Sequence, residues 1–205
     1  MRLLIMGPPG AGKGTQAKPI AAHYGIPAIS TGDIFRAMKT ADTPLARQVR
    51  DIMNSGGYVS DDITNQIVSE RLAEPDCGDG FLLDGYPRTL DQVETLDQAL
   101  VAAGTPLDAV LALTADTDEV VSRLLKRSEI EGRSDDNEET IRVRLQTYAE
   151  QTAPLLEVYG NHGLLVEVDG LGEIEEVSER VFAALDAALS DAELAGSAEL
   201  VEDPS

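Results

Sequence analysis

The sequence predicts an α/β fold in which a parallel sheet carries helices on both faces. Three observations lead there. Short apolar runs alternate along the chain with longer amphipathic stretches, the pattern of repeated strand–helix units. The first apolar run, Leu3-Leu4-Ile5-Met6, passes directly into GPPGAGKGT at Gly7–Thr15 and then into a helical stretch. A later apolar run, Phe81-Leu82-Leu83, ends on an acidic residue, Asp84, where the chain turns.

The elements follow in order. Leu3–Met6 is too apolar to alternate and reads as a strand buried on both faces. The first helix is predicted over Lys13–Tyr24, with Gly25 as its C-terminal cap. Pro19 removes one hydrogen bond inside it and should kink the segment. Pro27–Ile29 is a short second strand, and Ser30-Thr31-Gly32-Asp33 starts the next helix. Pro44–Asn54 is a helix closed by Ser55-Gly56-Gly57. Ser60 starts another that runs to Ala73, with Ile63, Ile67, Val68 and Leu72 on one stripe. Pro75–Gly80 is a loop before the strand at Phe81–Leu83. Leu90–Ala102 is helical, with Val93, Leu96 and Leu100 facing inward. Gln92 shares an edge of that stripe, either as a satisfied core amide or as a reader of a nucleotide base; spacing does not separate the two.

Ala109–Leu113 is the fourth strand. Asp116-x-x-Glu119 resembles a capping box for a helix that runs into Arg127, and a polar break follows over Ser128–Asp136. The next helix, Asn137–Tyr159, holds Ile141, Leu145, Tyr148, Thr152, Leu155 and Tyr159 in a 3-4 repeat. Arg144 falls on the same inward stripe, where a guanidinium needs a partner. That partner is either a buried carboxylate such as Asp84 or a phosphate. Gly163–Val168 is the last strand, followed by Asp169-Gly170-Leu171-Gly172 and a helix over Glu173–Leu189. Ser190–Ser205 is acidic, rich in small residues, and expected to be a loose tail.

The 205 residues suffice for one α/β domain with small insertions. The formal net charge of −21 argues against nucleic acid and against an anionic membrane surface as partners. An acidic chain that binds an anion must build a local positive pocket. Its basic residues are unevenly spread: after Arg144 only Arg180 remains. Cys77 is the single cysteine, which leaves no internal disulfide and no cysteine-based zinc site. No apolar run approaches the roughly 20 residues of a membrane span, and the N-terminal run is too short for a signal peptide. A cytoplasmic monomer is expected.

The loop at Gly7–Thr15 has the chemistry of a phosphate cradle. Glycines let the backbone approach an anion, and the following helix adds roughly half a positive charge at its N-terminus. Lys13 is placed to reach the β- and γ-phosphates. Gly14 stands where the usual pattern has Ser or Thr, so the hydroxyl toward Mg²⁺ falls to Thr15. Asp84, at the end of an apolar strand, fits the Walker B position, a carboxylate beside that Mg²⁺. In an open parallel sheet both would project into the crevice beyond the strand ends.

With these residues together, the chain resembles the adenylate kinases. The resemblance rests on GPPGAGKGTQ at Gly7–Gln16, STGDIFR at Ser30–Arg36, DGYPRT at Asp84–Thr89, GRSDD at Gly132–Asp136 and Arg142-Val-Arg144. It covers residues 1–189. It implies a P-loop fold with a five-stranded parallel sheet, and a core of 1–29, 60–125 and 137–189. An AMP-binding insertion would span 30–59 and a short lid 126–136. It further implies interconversion of ATP plus AMP with two ADP, with Mg²⁺ accompanying ATP. Gly10, Ala11, Gly12, Lys13, Gly14 and Thr15 would hold the ATP phosphates, joined by Arg127 and by the backbone at Gly172. Thr31, Arg36, Gly57, Tyr58, Val59, Gly85, Tyr86, Pro87, Arg88 and Gln92 would line the AMP site. Arg133 and Arg144 would close over the transferring group. Lys13, Arg36, Arg88, Arg127, Arg133 and Arg144 would supply the catalytic charge, with Arg123 as a further arginine of the family pattern. Only Ser128–Gly132 separate Arg127 from Arg133, a short lid without cysteines, so no structural zinc is expected. A kinase for CMP, UMP or GMP is the nearest alternative. A GTP-hydrolysing switch lacks its Asn-Lys-x-Asp guanine reader here, and a nucleotide sensor without catalysis would not need the arginine set.

Overall fold

The computed structural model describes residues 1–38, 41–131 and 137–199, with residues 131 and 191–199 as backbone only. Five parallel strands form one sheet: β1 (Arg2–Met6), β2 (Ala28–Ser30), β3 (Phe81–Asp84), β4 (Ala109–Thr114) and β5 (Leu165–Asp169). Their order is β2-β3-β1-β4-β5, so β1 is central with β3 and β4 at its sides. The register pairs Ile5 with both Asp84 and Leu111. The loop that leaves β1 therefore emerges level with the acidic end of β3.

Successive β1 residues point to opposite faces, and each face meets its own helices. Leu3 and Ile5 pack with Ala17, Ile20 and Ala21 of α1 (Lys13–Tyr24) and with Val177, Val181 and Leu185 of α9 (Ile174–Glu199). Leu4 and Met6 pack on the other face with Val93, Leu96 and Leu100 of α5 (Leu90–Ala103), Val68 of α4 (Asp61–Leu72), and Leu155 and Tyr159 of α8 (Pro154–Asn161). Burial on both faces is why β1, β3 and β4 carry no polar alternation.

Two smaller clusters build the cleft walls. Phe35 of α2 (Thr31–Met38), Val49 of α3 (Pro44–Asn54) and Val59 form a separate core within the insertion, with Ile63 and Ile67 against it. Val120 and Leu124 of α6 (Thr117–Glu131) pack on Ile141 of α7 (Glu138–Thr147).

Most element boundaries fall within two residues of those expected, and Gly25 ends α1 at φ 66° with its N–H on the Ala21 carbonyl. Pro19 sits inside α1, which runs on through it to Tyr24. Five expectations need correction. The Pro75–Gly80 loop contains a 3-10 turn at Pro75–Cys77. Only half of the capping box forms: Asp116 Oδ1 accepts from the N–H groups of Asp118 and Glu119, while Glu119 Oε1 takes Arg123 Nε at 2.9 Å. Helix α6 continues past Arg127 to Glu131, through residues read as a polar break.

The long helix expected at Asn137–Tyr159 is divided by a π turn at Tyr148–Thr152, where the Ala153 N–H bonds the Tyr148 carbonyl at 2.8 Å. Pro154 explains it. Proline has no N–H for the Glu150 carbonyl and its ring crowds that position, so the turn widens. The helix at the C-terminus also outlasts its expected end, since α9 continues to Glu199 through residues read as a loose tail. Alanine, leucine and glutamate there are strong helix formers. No helix among the described residues is long and apolar enough to cross a membrane.

Candidate active site

A cleft of about 890 Å³ opens beyond the carboxyl ends of the strands. Its floor is the loop between β1 and α1. Gly12 caps α1 in a left-handed conformation, φ 93°, that an L-residue with a side chain rarely adopts. A Cβ on Gly7 would stand 2.4 Å from the Leu113 carbonyl oxygen, so this residue lets the loop pass against β4. Residues Gly10 to Thr15 all line the cleft.

Lys13 folds back over its own loop. Its Nζ donates to the carbonyls of Gly7 at 2.8 Å and Pro8 at 2.9 Å. Burial lowers its pKa from 10.5 to about 8; Asp84 opposes the shift, while Arg88, Arg144 and Arg127 add to it. Three guanidinium groups from three elements thus sit within electrostatic reach of one amine. Burial also pushes the Asp84 carboxyl up, against the pull of Lys13 and Arg88. A Cβ on Gly14 would lie 3.7 Å from Asp84 Oδ2, which puts that carboxylate beside the first turn of α1.

The loop after β3 builds the second wall. The Tyr86–Pro87 bond is cis. Gly85 has φ 81°, and a Cβ there would stand 2.8 Å from both Arg88 Nη2 and Thr31 Oγ1. Those two side chains converge on one acceptor: the Gly85 carbonyl takes Arg88 Nε at 2.7 Å and Thr31 Oγ1 at 2.8 Å. Arg36 lines the cleft and pairs with Asp33 at 2.5 Å. Gly57, Tyr58, Val59, Pro87, Arg144 and Gly172 line it too. Helix α7 carries Arg144 to the cleft by packing on the end of α3, where Thr140 Oγ1 donates to the Asn54 carbonyl at 3.1 Å.

Some expected residues stand apart from the cleft. The Tyr86 ring is buried in the core, with its hydroxyl on Asn65 Oδ1 at 2.9 Å. Gln92 is 1% exposed and its amide is occupied at both ends: Nε2 donates to Asp61 Oδ1 and Oε1 accepts the Arg88 N–H at 2.8 Å. With Thr31 it lines a small space beside the cleft rather than the cleft itself. Arg133 lies outside the described residues.

Other residues at the site escaped the sequence reading. Tyr148 and Thr152 of the π turn line the cleft, as do Gly170, Ile174 and Val177. Arg123, which the resemblance names, bonds the Gly170 carbonyl at 3.0 Å, and Arg180, which it does not, bonds the Leu171 carbonyl and pairs with Asp169. The Asp-Gly-Leu-Gly run directly after β5 was the available signal, because it turns at a strand end of the crevice.

The arrangement is a site for polyanions. No group of three or more His, Cys, Asp or Glu side chains placed to hold a metal occurs among the described residues. Asp84 and the Thr15 hydroxyl offer the cleft one carboxylate and one alcohol, a hard-oxygen set suited to a magnesium ion that brings its other ligands from phosphate and water.

Comparison with known proteins agrees with this chemistry. A family model described as Adenylate kinase matches residues 5–164. The chain is 59% identical over 186 residues to an adenylate kinase of Nocardioides sp., covering 91% of this chain and 97% of that one. It is 58% identical over 184 residues to an adenylate kinase of Clavibacter michiganensis subsp. michiganensis, covering 90% and 92% of the two chains. The adenylate kinase of Thermobifida fusca matches at 54% over 185 residues, covering 90% and 98%.

Proposed function

Since the chain belongs to the adenylate kinase family, we propose that the cleft beyond its sheet is where it transfers a phosphoryl group between ATP and AMP. The chain is a nucleoside monophosphate kinase that interconverts ATP plus AMP with two ADP. The assignment of its residues to roles is our own reading. Gly10–Thr15 cradle the ATP phosphates, Arg127 supports them, and the backbone at Gly172 meets the adenine. Arg36, Gly57, Tyr58, Val59, Gly85, Pro87 and Arg88 form the AMP side, with Thr31, Tyr86 and Gln92 behind them. Arg144, with Arg133 from the lid, neutralises the group in transfer. The division into a core of 1–29, 60–125 and 137–189, an AMP-binding insertion at 30–59 and a short lid at 126–136 belongs to the same reading.

An oxygen of the AMP phosphate attacks the γ-phosphorus of ATP. A new P–O bond forms, the bond to the β-phosphate oxygen breaks, and ADP leaves. The nucleophile is already an anion at pH 7, so the protein need not remove a proton. Its work is alignment and neutralisation of charge on a loose transition state. Lys13 exchanges the carbonyls of Gly7 and Pro8, on which its Nζ rests, for phosphate oxygens. The Gly85 carbonyl aims Arg88 by its Nε and leaves the Nη groups for the acceptor phosphate. Thr15 and Asp84 would hold the Mg²⁺ that accompanies ATP, where it would supply positive charge to offset that of the phosphates. ATP, AMP and ADP are the expected partners, in a cytoplasmic monomer.

One observation supports this reading most: Arg88, Arg127 and Arg144 all act on the charge of Lys13 within a chain of net charge −21. A coupled assay for ADP with MgATP and, in parallel, AMP, CMP, UMP or GMP tests it. AMP is expected to be the preferred acceptor. Equal or faster turnover with CMP, UMP or GMP would reject the adenine assignment, and ATP hydrolysis without acceptor dependence would reject transfer.

A further inference from the structure

Besides its N–H on Gln92 Oε1, Arg88 is held at three further points, by Gly85 of its own loop, by Tyr58 and by Thr152. Its Nε donates to the Gly85 carbonyl at 2.7 Å. Its guanidinium carbon lies 4.8 Å from the centre of the Tyr58 ring, a cation–π contact. Its own carbonyl accepts Thr152 Oγ1 at 2.9 Å. Thr152 also meets the Tyr58 hydroxyl at 2.9 Å. A threonine hydroxyl has one hydrogen, and Arg88 takes it, so Tyr58 must be the donor in that pair. The result is a directed chain: Tyr58 O–H to Thr152, Thr152 O–H to the Arg88 carbonyl, and the Tyr58 ring under the Arg88 guanidinium. Thr152 is 5% exposed, and it closes the π turn that Pro154 imposes.

We infer that Tyr58 and Thr152 are positioning residues that preset Arg88 for the acceptor phosphate. The inference rests on the role proposed above for Arg88. An unrestrained arginine loses rotamer freedom when it grips an anion, and here that freedom is removed in advance. The device also links parts of the site. Tyr58 belongs to the insertion, Arg88 to the loop after β3 and Thr152 to the π turn, so the insertion cannot shift without disturbing the arginine. Because the contacts lie on the acceptor side, their loss should weaken use of AMP and spare use of MgATP.

The test is steady-state kinetics on the full chain, with both substrates varied and melting temperature recorded. Tyr58→Phe keeps the ring and loses the donor; Thr152→Val keeps the shape and loses the hydroxyl. Each should lower kcat/KM for AMP about tenfold. Tyr58→Leu, which also removes the ring, should lower it by about thirtyfold. KM for MgATP should stay within about twofold, and Thr152→Ser should restore most of the loss. In an Arg88→Lys background, Tyr58→Phe and Thr152→Val should cost much less than in the native chain. Undiminished costs in that background would overturn the inference, as would variants that lower melting temperature while leaving kcat/KM for AMP intact. Full activity of Arg88→Lys itself would instead remove the role of Arg88, and this inference with it.

Discussion

Lys13 and Asp84 lie within electrostatic reach of each other at the floor of the cleft, and burial drives both toward their neutral forms. The lysine is lowered to about 8 and the carboxyl is raised, each held back by the charge of the other. Nucleotide phosphates favour the charged lysine. KM for MgATP should therefore rise above pH 8, approaching about tenfold per pH unit as Lys13 loses its proton. The linked stability has the opposite sense. Between about 8 and 10.5 the folded chain holds fewer protons here than the unfolded chain. The cost of burying this cation is full below 8 and fades as pH rises to 10.5. A KM for MgATP that stays flat from pH 7.5 to 9.5 would show that Lys13 is not the group concerned.

Arg88→Ala and Arg144→Ala should each cut turnover on the order of 10²-fold or more, by analogy with other preorganised charge-stabilising donors. Both side chains line the cleft rather than the core, so the melting temperature should fall by no more than about 4 °C. Parallel activity and melting measurements separate the two effects. Turnover near that of the native chain in either variant would take that arginine out of the catalytic set.

Gly85→Ala should damage the acceptor side. The new methyl would meet Arg88 Nη2 and Thr31 Oγ1 at 2.8 Å, on a backbone at φ 81°. The left-handed conformation alone costs about 1–2 kcal/mol for a residue with a Cβ. KM for AMP should rise several-fold and melting temperature should drop, with KM for MgATP affected least. An Ala variant with unchanged KM for AMP would mean that Arg88 can withdraw without consequence.

Arg180→Met addresses the other end of the cleft. Arg180 holds the Leu171 carbonyl and Asp169, and a Cβ on Gly172 would lie 3.1 Å from its Nη2. Without it the loop after β5 loses one of two arginine tethers, the other being Arg123 on the Gly170 carbonyl. KM for MgATP should rise about threefold to tenfold, with kcat and KM for AMP little changed. A larger change for AMP than for MgATP would place that loop on the wrong substrate.

Local rules account for much of what the chain does. The run Leu3–Met6 had to be buried on both faces, and the glycines of Gly7–Thr15 had to bend where a side chain cannot. The cap at Gly25, the helix at Pro44–Asn54 and the inward stripe from Ile141 to Tyr159 follow from residue type and period. The π turn was written only in Pro154, whose effect depends on how the widened turn packs. Gln92 illustrates the limit most clearly. Spacing placed it on the inner edge of α5, but its neighbours Asp61 and Arg88 come from other elements, and they occupy its amide.

The order of residues determined the elements, the phosphate loop and the identity of the cationic side chains, because each depends on neighbours within a few positions along the chain. Tertiary structure decided which cations meet. Lys13, Arg88, Arg127 and Arg144 come together because β1 lies at the centre of the sheet, and α6, which packs on α7, lies against Gly10 of the loop that leaves β1. It also decided what steadies them: the Gly85 carbonyl, the Tyr58 ring and the Thr152 hydroxyl are distant in sequence and share only a place in space. Charge convergence of this kind is set by packing, which no local period encodes.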